Sequence, residues 1–167
     1  MTSDKALGSG PDLDLKKDPE FGAGSEPDRK AEAAEDPALV AAPVLAFIGD
    51  AVYETFVRTY VYRKGLLRAD RLNASATAYV RAEAQAYAFD QLLPQLSDKE
   101  ASVARRGKNH KITSMPKHVD PMIYKKATGF EALIGYLELK GDRDRLEEVV
   151  SGALAVIEEK DFRKVKR

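Results

Sequence analysis

Two acidic residues, Asp50 and Glu131, each stand within an otherwise apolar stretch of helical character. Leu45, Ile48 and Val52 recur at helical spacing around the first acid, which predicts a helix that faces a core. Carboxylates brought together from two apolar helices are costly unless they are hydrogen-bonded or hold a hard cation. The pair therefore indicates a divalent-metal site and metal-assisted hydrolysis. The alternative is that both acids simply accept hydrogen bonds from backbone amides or arginine.

A third acid, Glu54, follows Asp50 by four residues, so on a helix the two carboxylates share one face. This position makes Glu54 a candidate for orienting the metal ligands without being one of them. The alternative is an ordinary ion pair.

A basic segment runs from Arg105 to Lys126 and contains a single acid, Asp120. Its Gly, Asn, Ser and Pro residues predict a loop over Gly107–Val119. Cations on a loop suit a phosphate backbone, because each neutralised phosphate releases counterions, and duplex RNA is recognised largely through its phosphates and 2′-hydroxyls. A solvated run of charge is the alternative. The candidate RNA-binding residues are Arg105, Arg106, Lys108, Asn109, Lys111 and Lys117.

Two histidines, His110 and His118, lie within the predicted loop. They have no cysteine partners and no established ligand spacing, which argues against a zinc site. We expect either a phosphate contact or no role for them.

The elements that must position these residues are helical from Pro37 onward. One long helix is predicted from Pro43 to Lys64, ending at Gly65. Ser97-Asp98-Lys99-Glu100 has the form of a capping box that opens a helix to about Arg106. Other helices are predicted over residues 68–81, which either continue into 82–93 or break before it, and over 121–126, 127–140 and 144–160. The predicted fold is all-α.

The first 36 residues differ in composition from the remainder. They hold five of the 27 basic residues and ten of the 27 acidic residues, with many Gly and Pro and few large apolar side chains. Such a segment cannot bury enough surface to offset its ordering entropy. We predict a disordered acidic extension over 1–36 and one domain over 37–167. The domain is then net basic, which favours nucleic-acid contact, with solubility as the alternative.

Several classes of protein are disfavoured by what the sequence lacks. There is no cysteine and no apolar run of eighteen residues, so neither a disulfide framework nor a membrane span is expected. The start has neither the apolar core of a signal peptide nor the acid-poor composition of a transit peptide. A bacterial cytoplasm is the expected location, with a plastid as the alternative.

Residues 47–52, Phe-Ile-Gly-Asp-Ala-Val, resemble the signature helix of the ribonuclease III family. Residues 129–137, Gly-Phe-Glu-Ala-Leu-Ile-Gly-Tyr-Leu, are similar to its second acidic motif. Residues 78–86, 105–109 and 124–131 resemble a narrower group, Mini-ribonuclease III, which has no double-stranded-RNA-binding domain. The resemblance spans about residues 43–159, with the motifs in order and at consistent spacing.

This resemblance implies that Asp50 and Glu131 are the catalytic metal ligands, for Mg²⁺ with Mn²⁺ as a substitute. Ala46 and Thr128 stand where the wider family has two further acids, which leaves the number of metal ions open. It also implies a homodimeric endoribonuclease that cleaves double-stranded RNA and leaves 5′-phosphates and 3′-hydroxyls. The implied substrate is the large-subunit (23S) ribosomal RNA precursor, and the resemblance leaves open whether a ribosomal protein is a further partner.

Two rival functions follow from the same residues. The first is an RNA-binding or ribosome-assembly module on this fold that has lost catalysis, as the replacements at Ala46 and Thr128 suggest. The second is a helical protein–protein adaptor, which the basic segment and the retained acids disfavour.

Overall fold

The computed structural model describes residues 36–65, 68–160 and 162, and all regular structure in these ranges is helical. The predicted all-α fold is thus confirmed, while the predicted extension 1–36 lies outside the described residues except for Asp36. None of the described helices combines the length and apolarity that crossing a bilayer requires. The helices are α1 (Ala42–Arg63), α2 (Ala69–Val80), α3 (Ala82–Leu92), α4 (Asp98–Asn109), α5 (Pro121–Lys140) and α6 (Arg143–Lys160), with 3-10 turns at Pro37–Leu39 and Leu93–Gln95.

The helix α5 forms the centre of the fold and packs against α1, α3, α4 and α6. Its second half is buried on nearly every side because Phe130, Leu133, Ile134 and Leu137 point into the core. Burial of one such side chain contributes roughly 1.5–3 kcal/mol. The ring of Phe130 meets that of Tyr53 on α1 edge to face, with 4.9 Å between centroids. The α1–α5 pair is the most extensive helix contact in the described fold.

Two glycines, Gly49 and Gly135, allow α1 and α5 to touch backbone to backbone. A Cβ atom added at Gly49 would lie 1.8 Å from the carbonyl oxygen of Glu131, and one at Gly135 would lie 2.0 Å from that of Leu45. Neither distance leaves room for any side chain. The backbones beside Asp50 and Glu131 are therefore held together directly.

The helix ends follow the predicted capping signals. Gly65 follows α1 with φ 83°, and Gly141 follows α5 with φ 72°, a left-handed conformation that favours glycine. The capping box of Ser97 and Glu100 is confirmed at the start of α4. Asp120 caps α5 by accepting hydrogen bonds from the backbone amides of residues 122 and 123 at 2.8 and 3.1 Å.

Two predicted boundaries need correction. The loop predicted over Gly107–Val119 is wrong for its first three residues, because α4 continues to Asn109. Gly107 does not break the helix; it is a buried helical position where a Cβ atom would lie 2.7 Å from the Cβ of Ala132. The segments 121–126 and 127–140 form one continuous helix, since no residue between them interrupts the backbone hydrogen bonds.

The open question between α2 and α3 is resolved as a break. Arg81 is extended, with ψ 148°, and separates the two helices. Its guanidinium pairs with Glu83 at 2.9 Å in the first turn of α3. This break turns α3 so that it packs on α5.

Candidate active site

A cleft of about 290 Å³ contains both predicted metal ligands. Asp50 reaches it from α1 and Glu131 from α5, although they are far apart in sequence. Asp50 is exposed, whereas Glu131 is half-buried. The other lining residues are Pro43, Ala46, Phe47, Gly107, His110, Lys111, Ile112, Thr113, Ser114, Tyr124, Lys125 and Thr128.

The position of each acid follows from the helix crossing described above. Asp50 comes directly after Gly49, so it emerges at the edge of the contact between α1 and α5. Glu131 supplies the carbonyl oxygen on which Gly49 packs, so its side chain leaves the backbone at that same contact. The two carboxylates therefore face one cleft without any loop to position them.

Burial and like charge make this acid pair electrostatically unfavourable. Burial, and then the charge of Asp50, raise the pKa of Glu131 to about 8, against a hydrogen bond from Gln85 that lowers it. Partial burial and the charge of Glu54 also raise the pKa of Asp50. Within the described residues neither Asp50 nor Glu131 forms an ion pair, so the alternative in which arginine neutralises them is not supported.

The chemistry of this donor set fits a small hard cation. Mg²⁺ is usually held by one or two carboxylates, keeping its other positions for water and substrate phosphate. Across the described residues there is no cluster of three or more His, Cys, Asp or Glu side chains that would enclose a metal. Thr128 lines the cleft, but its hydroxyl donates to the backbone carbonyl of Tyr124 at 3.1 Å. Asp50 and Glu131 are thus the residues that could hold a cation here.

The third predicted acid, Glu54, lies outside the lining of this cleft. It pairs with Arg58 one turn further along α1, at 3.2 Å, and both side chains are substantially exposed. The ordinary ion pair is therefore formed. Its influence on the site is electrostatic, through the charge that raises the pKa of Asp50. An orienting role for Glu54 stays a prediction.

Of the six candidate RNA-binding residues, Lys111 lines the cleft. Arg106 instead donates a hydrogen bond to the backbone carbonyl of Val40 at 2.7 Å, which ties α4 to the chain before α1. Lys108 is half-buried on α4. Arg105, Asn109 and Lys117 are exposed and lie outside the cleft lining.

Other residues of the cleft lie outside the predicted RNA-binding set. His110 and Lys125 line the cleft beside Lys111, and within the described part of the chain none of the three forms an ion pair. Phe47 stands at the cleft with 80% of its surface exposed. Its apolar neighbours along the chain did not indicate this exposure. The signal for Lys125 was its place in the basic segment that runs from Arg105 to Lys126.

Comparison with known proteins identifies the class that this fold and site define. Residues 43–142 match the sequence model of the Ribonuclease III domain. A crystal structure of a Fusobacterium nucleatum protein is similar, with a TM-score of 0.64 and 28% identity over 72% of this chain and 94% of the other. The architecture is thus that of the ribonuclease III family.

Two sequence relatives indicate to which group within this family the chain belongs. The chain is 44% identical over 130 residues to a Mini-ribonuclease 3 of Brevibacillus brevis, covering 78% of this chain and 97% of that one. It is 46% identical over 114 residues to a Mini-ribonuclease 3 of Symbiobacterium thermophilum, covering 68% and 88%. The chain belongs to the Mini-ribonuclease III group.

Proposed function

We propose that this protein is a divalent-metal-dependent endoribonuclease that cleaves double-stranded RNA. One observation carries the proposal: Asp50 and Glu131 share a cleft, have raised pKa values and lack an ion pair within the described residues. The family membership supports the same chemistry. An acid pair of this kind would be stabilised by a cation, and the cations that line the same cleft suit an RNA phosphate.

The acidic and basic residues of the cleft would have different roles in the reaction. A bound Mg²⁺, or Mn²⁺ in its place, would supply Lewis-acid chemistry for phosphodiester hydrolysis. Asp50 and Glu131 would hold it through their carboxylate oxygens, leaving coordination positions open. Lys111 and Lys125 would hold the phosphate by charge, with His110 as a hydrogen-bonding group beside them. The partial burial of Glu131 reduces screening by water, which would strengthen its interaction with the cation.

The proposal includes a homodimer formed through the outer face of α1. Val44, Phe47 and Tyr62 are large apolar residues on that face, with 47%, 80% and 59% of their surfaces exposed. An exposed apolar face of this kind favours an interface. A two-fold axis would place one cleft on each strand of a duplex, so the products would have a short 3′ overhang. Attack of water on the phosphorus with the 3′ oxygen as the leaving group would give these products 5′-phosphates and 3′-hydroxyls.

The proposed substrate is the precursor of large-subunit (23S) ribosomal RNA, in a bacterial cytoplasm. The support is the similarity to Mini-ribonuclease 3 proteins. A ribosomal protein that presents this RNA is a further proposed partner.

The test is incubation with a long RNA duplex, with and without Mg²⁺, followed by mapping of the ends. We expect cleavage of both strands that requires Mg²⁺ or Mn²⁺, and 3′ overhangs. Cleavage that persists in a chelator would contradict the metal role. A single-stranded RNA of the same sequence is the matched substrate control.

A second candidate function is an RNA-binding or ribosome-assembly module without catalysis. Thr128 favours it, because its hydroxyl is engaged by the helix backbone and supplies no charge to the cleft. Retention of duplex RNA at low salt with no cleavage at any Mg²⁺ or Mn²⁺ concentration would select this candidate.

A further inference from the structure

The phenol of Tyr124 lines the cleft but has no part in the chemistry proposed above. Tyr124 lies in the first turn of α5, with Thr128 four residues and Glu131 seven residues further along the helix. Residues at this spacing share one face of a helix, and all three line the same cleft. The phenol and the Glu131 carboxylate are therefore carried by one rigid element.

The backbone of Tyr124 is fixed on both sides. Its amide donates to the carbonyl of Asp120 at 2.9 Å, and its own carbonyl accepts a hydrogen bond from the hydroxyl of Thr128 at 3.1 Å. The side chain of Asp120 caps the same turn of the helix. The position of Tyr124 relative to Glu131 is thus set by helix geometry, at about 10 Å along the axis for seven residues.

The hydroxyl of Tyr124 differs from the hydroxyls of Tyr53 and Tyr79 in the core. Tyr53 donates to the carbonyl of Tyr79 at 3.3 Å, and Tyr79 donates to Glu158 at 2.8 Å. Every hydrogen bond that Tyr124 forms with another described residue uses its backbone. Among the same residues no buried side-chain oxygen lacks a partner. The half-buried Tyr124 therefore presents an accessible, unpaired oxygen at the cleft that it lines.

The chemistry of a phenol suits a ribose hydroxyl. A phenol both donates and accepts hydrogen bonds, as a 2′-hydroxyl does, whereas an ionised phosphate oxygen only accepts them. For phosphates, this cleft has the cationic groups of Lys111 and Lys125. The spacing of about 10 Å from Glu131 is too long for a contact with the phosphate at the proposed cation, and it suits a neighbouring nucleotide.

Three other hydroxyl groups line the cleft, on Thr113, Ser114 and Thr128. The hydroxyl of Thr128 is engaged by the helix backbone. Thr113 and Ser114 belong to a stretch without helix, so no regular element sets their distance from Glu131. Discrimination between two sugars requires a hydrogen-bonding group at a well-defined position, which favours Tyr124.

We propose that Tyr124 determines the preference for RNA over DNA by hydrogen-bonding the 2′-hydroxyl of a nucleotide next to the scissile phosphate. The inference rests on the proposed endoribonuclease function and adds to it the contact that recognises the sugar. In that function water attacks the phosphorus, so the 2′-hydroxyl takes no part in the bonds that form and break. Removal of a 2′-hydroxyl therefore reports recognition and leaves the chemical step intact.

The test combines Tyr124→Phe, which removes one oxygen atom, with duplexes that lack single 2′-hydroxyls. Each nucleotide within about three of the mapped cleavage site is replaced in turn by its 2′-deoxy form. We expect the wild-type protein to lose about 3–10-fold in kcat/KM at one of these positions, which is the contribution of one hydrogen bond. Tyr124→Phe should lose the same factor on the unmodified duplex and nothing further at that position. Tyr87→Phe, at a half-buried tyrosine outside the cleft lining, is the matched control.

A phosphate contact or a merely structural role would give a different pattern. The loss in Tyr124→Phe would then be equal on the unmodified and the deoxy duplexes, so the two factors would multiply, and this result would overturn the inference. Loss of the deoxy effect in Ser114→Ala or Thr113→Val, with the effect retained in Tyr124→Phe, would overturn it as well. Tyr124→Phe should melt with the wild-type protein, because the oxygen that it removes has no partner among the described residues.

Failure of the inference can be distinguished from failure of the proposed function. Equilibrium binding of the unmodified and the deoxy duplex is compared in a Glu131→Gln background, where the bound RNA should stay intact. The affinity ratio should be about 3–10 with Tyr124 and close to one with Tyr124→Phe. If the wild-type protein does not cleave duplex RNA, the proposed function and the inference both fall. If it does, and the affinity ratio is the same with and without the phenol, only the role of Tyr124 is overturned.

Discussion

The acidic residues of the cleft and two of its basic residues, His110 and Lys111, are positioned in opposite ways. Asp50 and Glu131 sit in the middle of α1 and α5, where two glycines bring the backbones into contact. His110 and Lys111 belong to the segment 110–120, which contains no helix. Within this described segment one backbone hydrogen bond joins two of its own residues, from the amide of Val119 to the carbonyl of Pro116 at 3.4 Å. The groups proposed to hold a cation are therefore fixed, whereas two of the groups proposed to hold phosphates are adaptable. The third, Lys125, lies on α5.

This difference matches what the two tasks require. Cation ligands have to keep oxygen atoms within a few tenths of an ångström of set distances, which a rigid helix pair can do. A phosphate backbone is an extended line of negative charge, so a cationic side chain can attract it from many positions. Changes to the acidic half should therefore be severe, and changes to the basic half should be graded.

The largest effect is expected from the acids themselves. Asp50→Asn or Glu131→Gln keeps the shape of the side chain but removes a charge that holds the cation. A loss of about 4 kcal/mol in transition-state stabilisation corresponds to roughly 10³-fold in rate. Single-turnover cleavage of duplex RNA measures it, and binding of the duplex at low salt should persist. Asp144→Asn, an exposed acid on α6, is the control, and near wild-type turnover in Glu131→Gln would refute the assignment.

The next effect tests the rigidity of the acidic half. Gly49→Ala introduces a Cβ atom that would lie 1.8 Å from the carbonyl oxygen of Glu131, so α1 and α5 have to separate. We expect about 1–3 kcal/mol of destabilisation and roughly a 10²-fold loss of cleavage in the folded fraction. Thermal melting and single-turnover rates measure these effects.

The matched control for that experiment is Gly152→Ala on α6. Its Cβ atom would lie 3.1 Å from a terminal methyl group of Leu92, which can move aside. Stability should change little or increase, because alanine is the better helix former. Equal losses of activity in both variants would show that the α1–α5 contact has no special importance.

The pH dependence of the metal site gives a smaller but graded effect. Because the pKa of Glu131 is raised to about 8, a cation competes with a proton below that pH. The Mg²⁺ concentration for half-maximal rate should fall about ten-fold per pH unit as pH rises toward 8 and then level off. A constant value between pH 6.5 and 8 would show that Glu131 is already ionised in the metal-free protein.

The same raised pKa predicts a change in stability. Protonated Glu131 contributes to the stability of the folded protein. This contribution is fully present below the unfolded pKa of about 4.5 and is lost as pH rises through the folded pKa of about 8. Metal-free Glu131→Gln should therefore be more stable than the wild-type protein at pH 8, on the order of 2 kcal/mol after allowance for partial exposure. At pH 4 the two proteins should melt alike.

In the basic half, Lys111 and Lys125 line the cleft, whereas Arg105 and Lys117 lie outside its lining. Changing Lys111 and Lys125 together to alanine should reduce the slope of log K against log salt by roughly 0.7–0.9 for each phosphate that is no longer neutralised. The Mg²⁺ requirement at saturating RNA should stay nearly constant. The Arg105 and Lys117 double variant is the matched control, and an equal reduction of the slope there would mean that the duplex lies across a wider surface.

The smallest effect is expected from the N-terminal extension. Removal of residues 1–35 should leave cleavage within a few-fold of the full chain, because their composition does not favour a packed structure. Asp36 is retained because it accepts a hydrogen bond from the amide of Ala38 at 3.0 Å and pairs with Lys99 at 2.5 Å. A hundred-fold loss of rate would show that the extension takes part in RNA binding or chemistry.

The acidic half of the site was more predictable from sequence than the basic half, for a physical reason. Asp50 and Glu131 are isolated charges in apolar helices, and few explanations exist for such residues. Arg105, Arg106 and Lys108 are cations in a run of cations, and spacing alone did not predict which would reach the cleft. Arg106 hydrogen-bonds to Val40 instead, a contact between segments 66 residues apart that local sequence does not encode.

The fold was predictable wherever local signals determine it. Helix ends at Gly65 and Gly141 and the cap at Ser97 follow from backbone preferences of single residues. The prediction at Gly107 was wrong because glycine serves two purposes, breaking a helix or permitting close packing. Only the position of Gly129 and Ala132 on α5 decides between these purposes.

The backbone contact between Gly49 and Gly135 has a consequence for how the molecule opens. Because α1 and α5 cannot slide or tilt at this point without a clash, their central amides should exchange with deuterium only through global unfolding. Amides of the segment 110–120 should exchange orders of magnitude faster, by local fluctuation. The acidic residues then have no partly open form, so heat should inactivate the protein at the temperature where it unfolds.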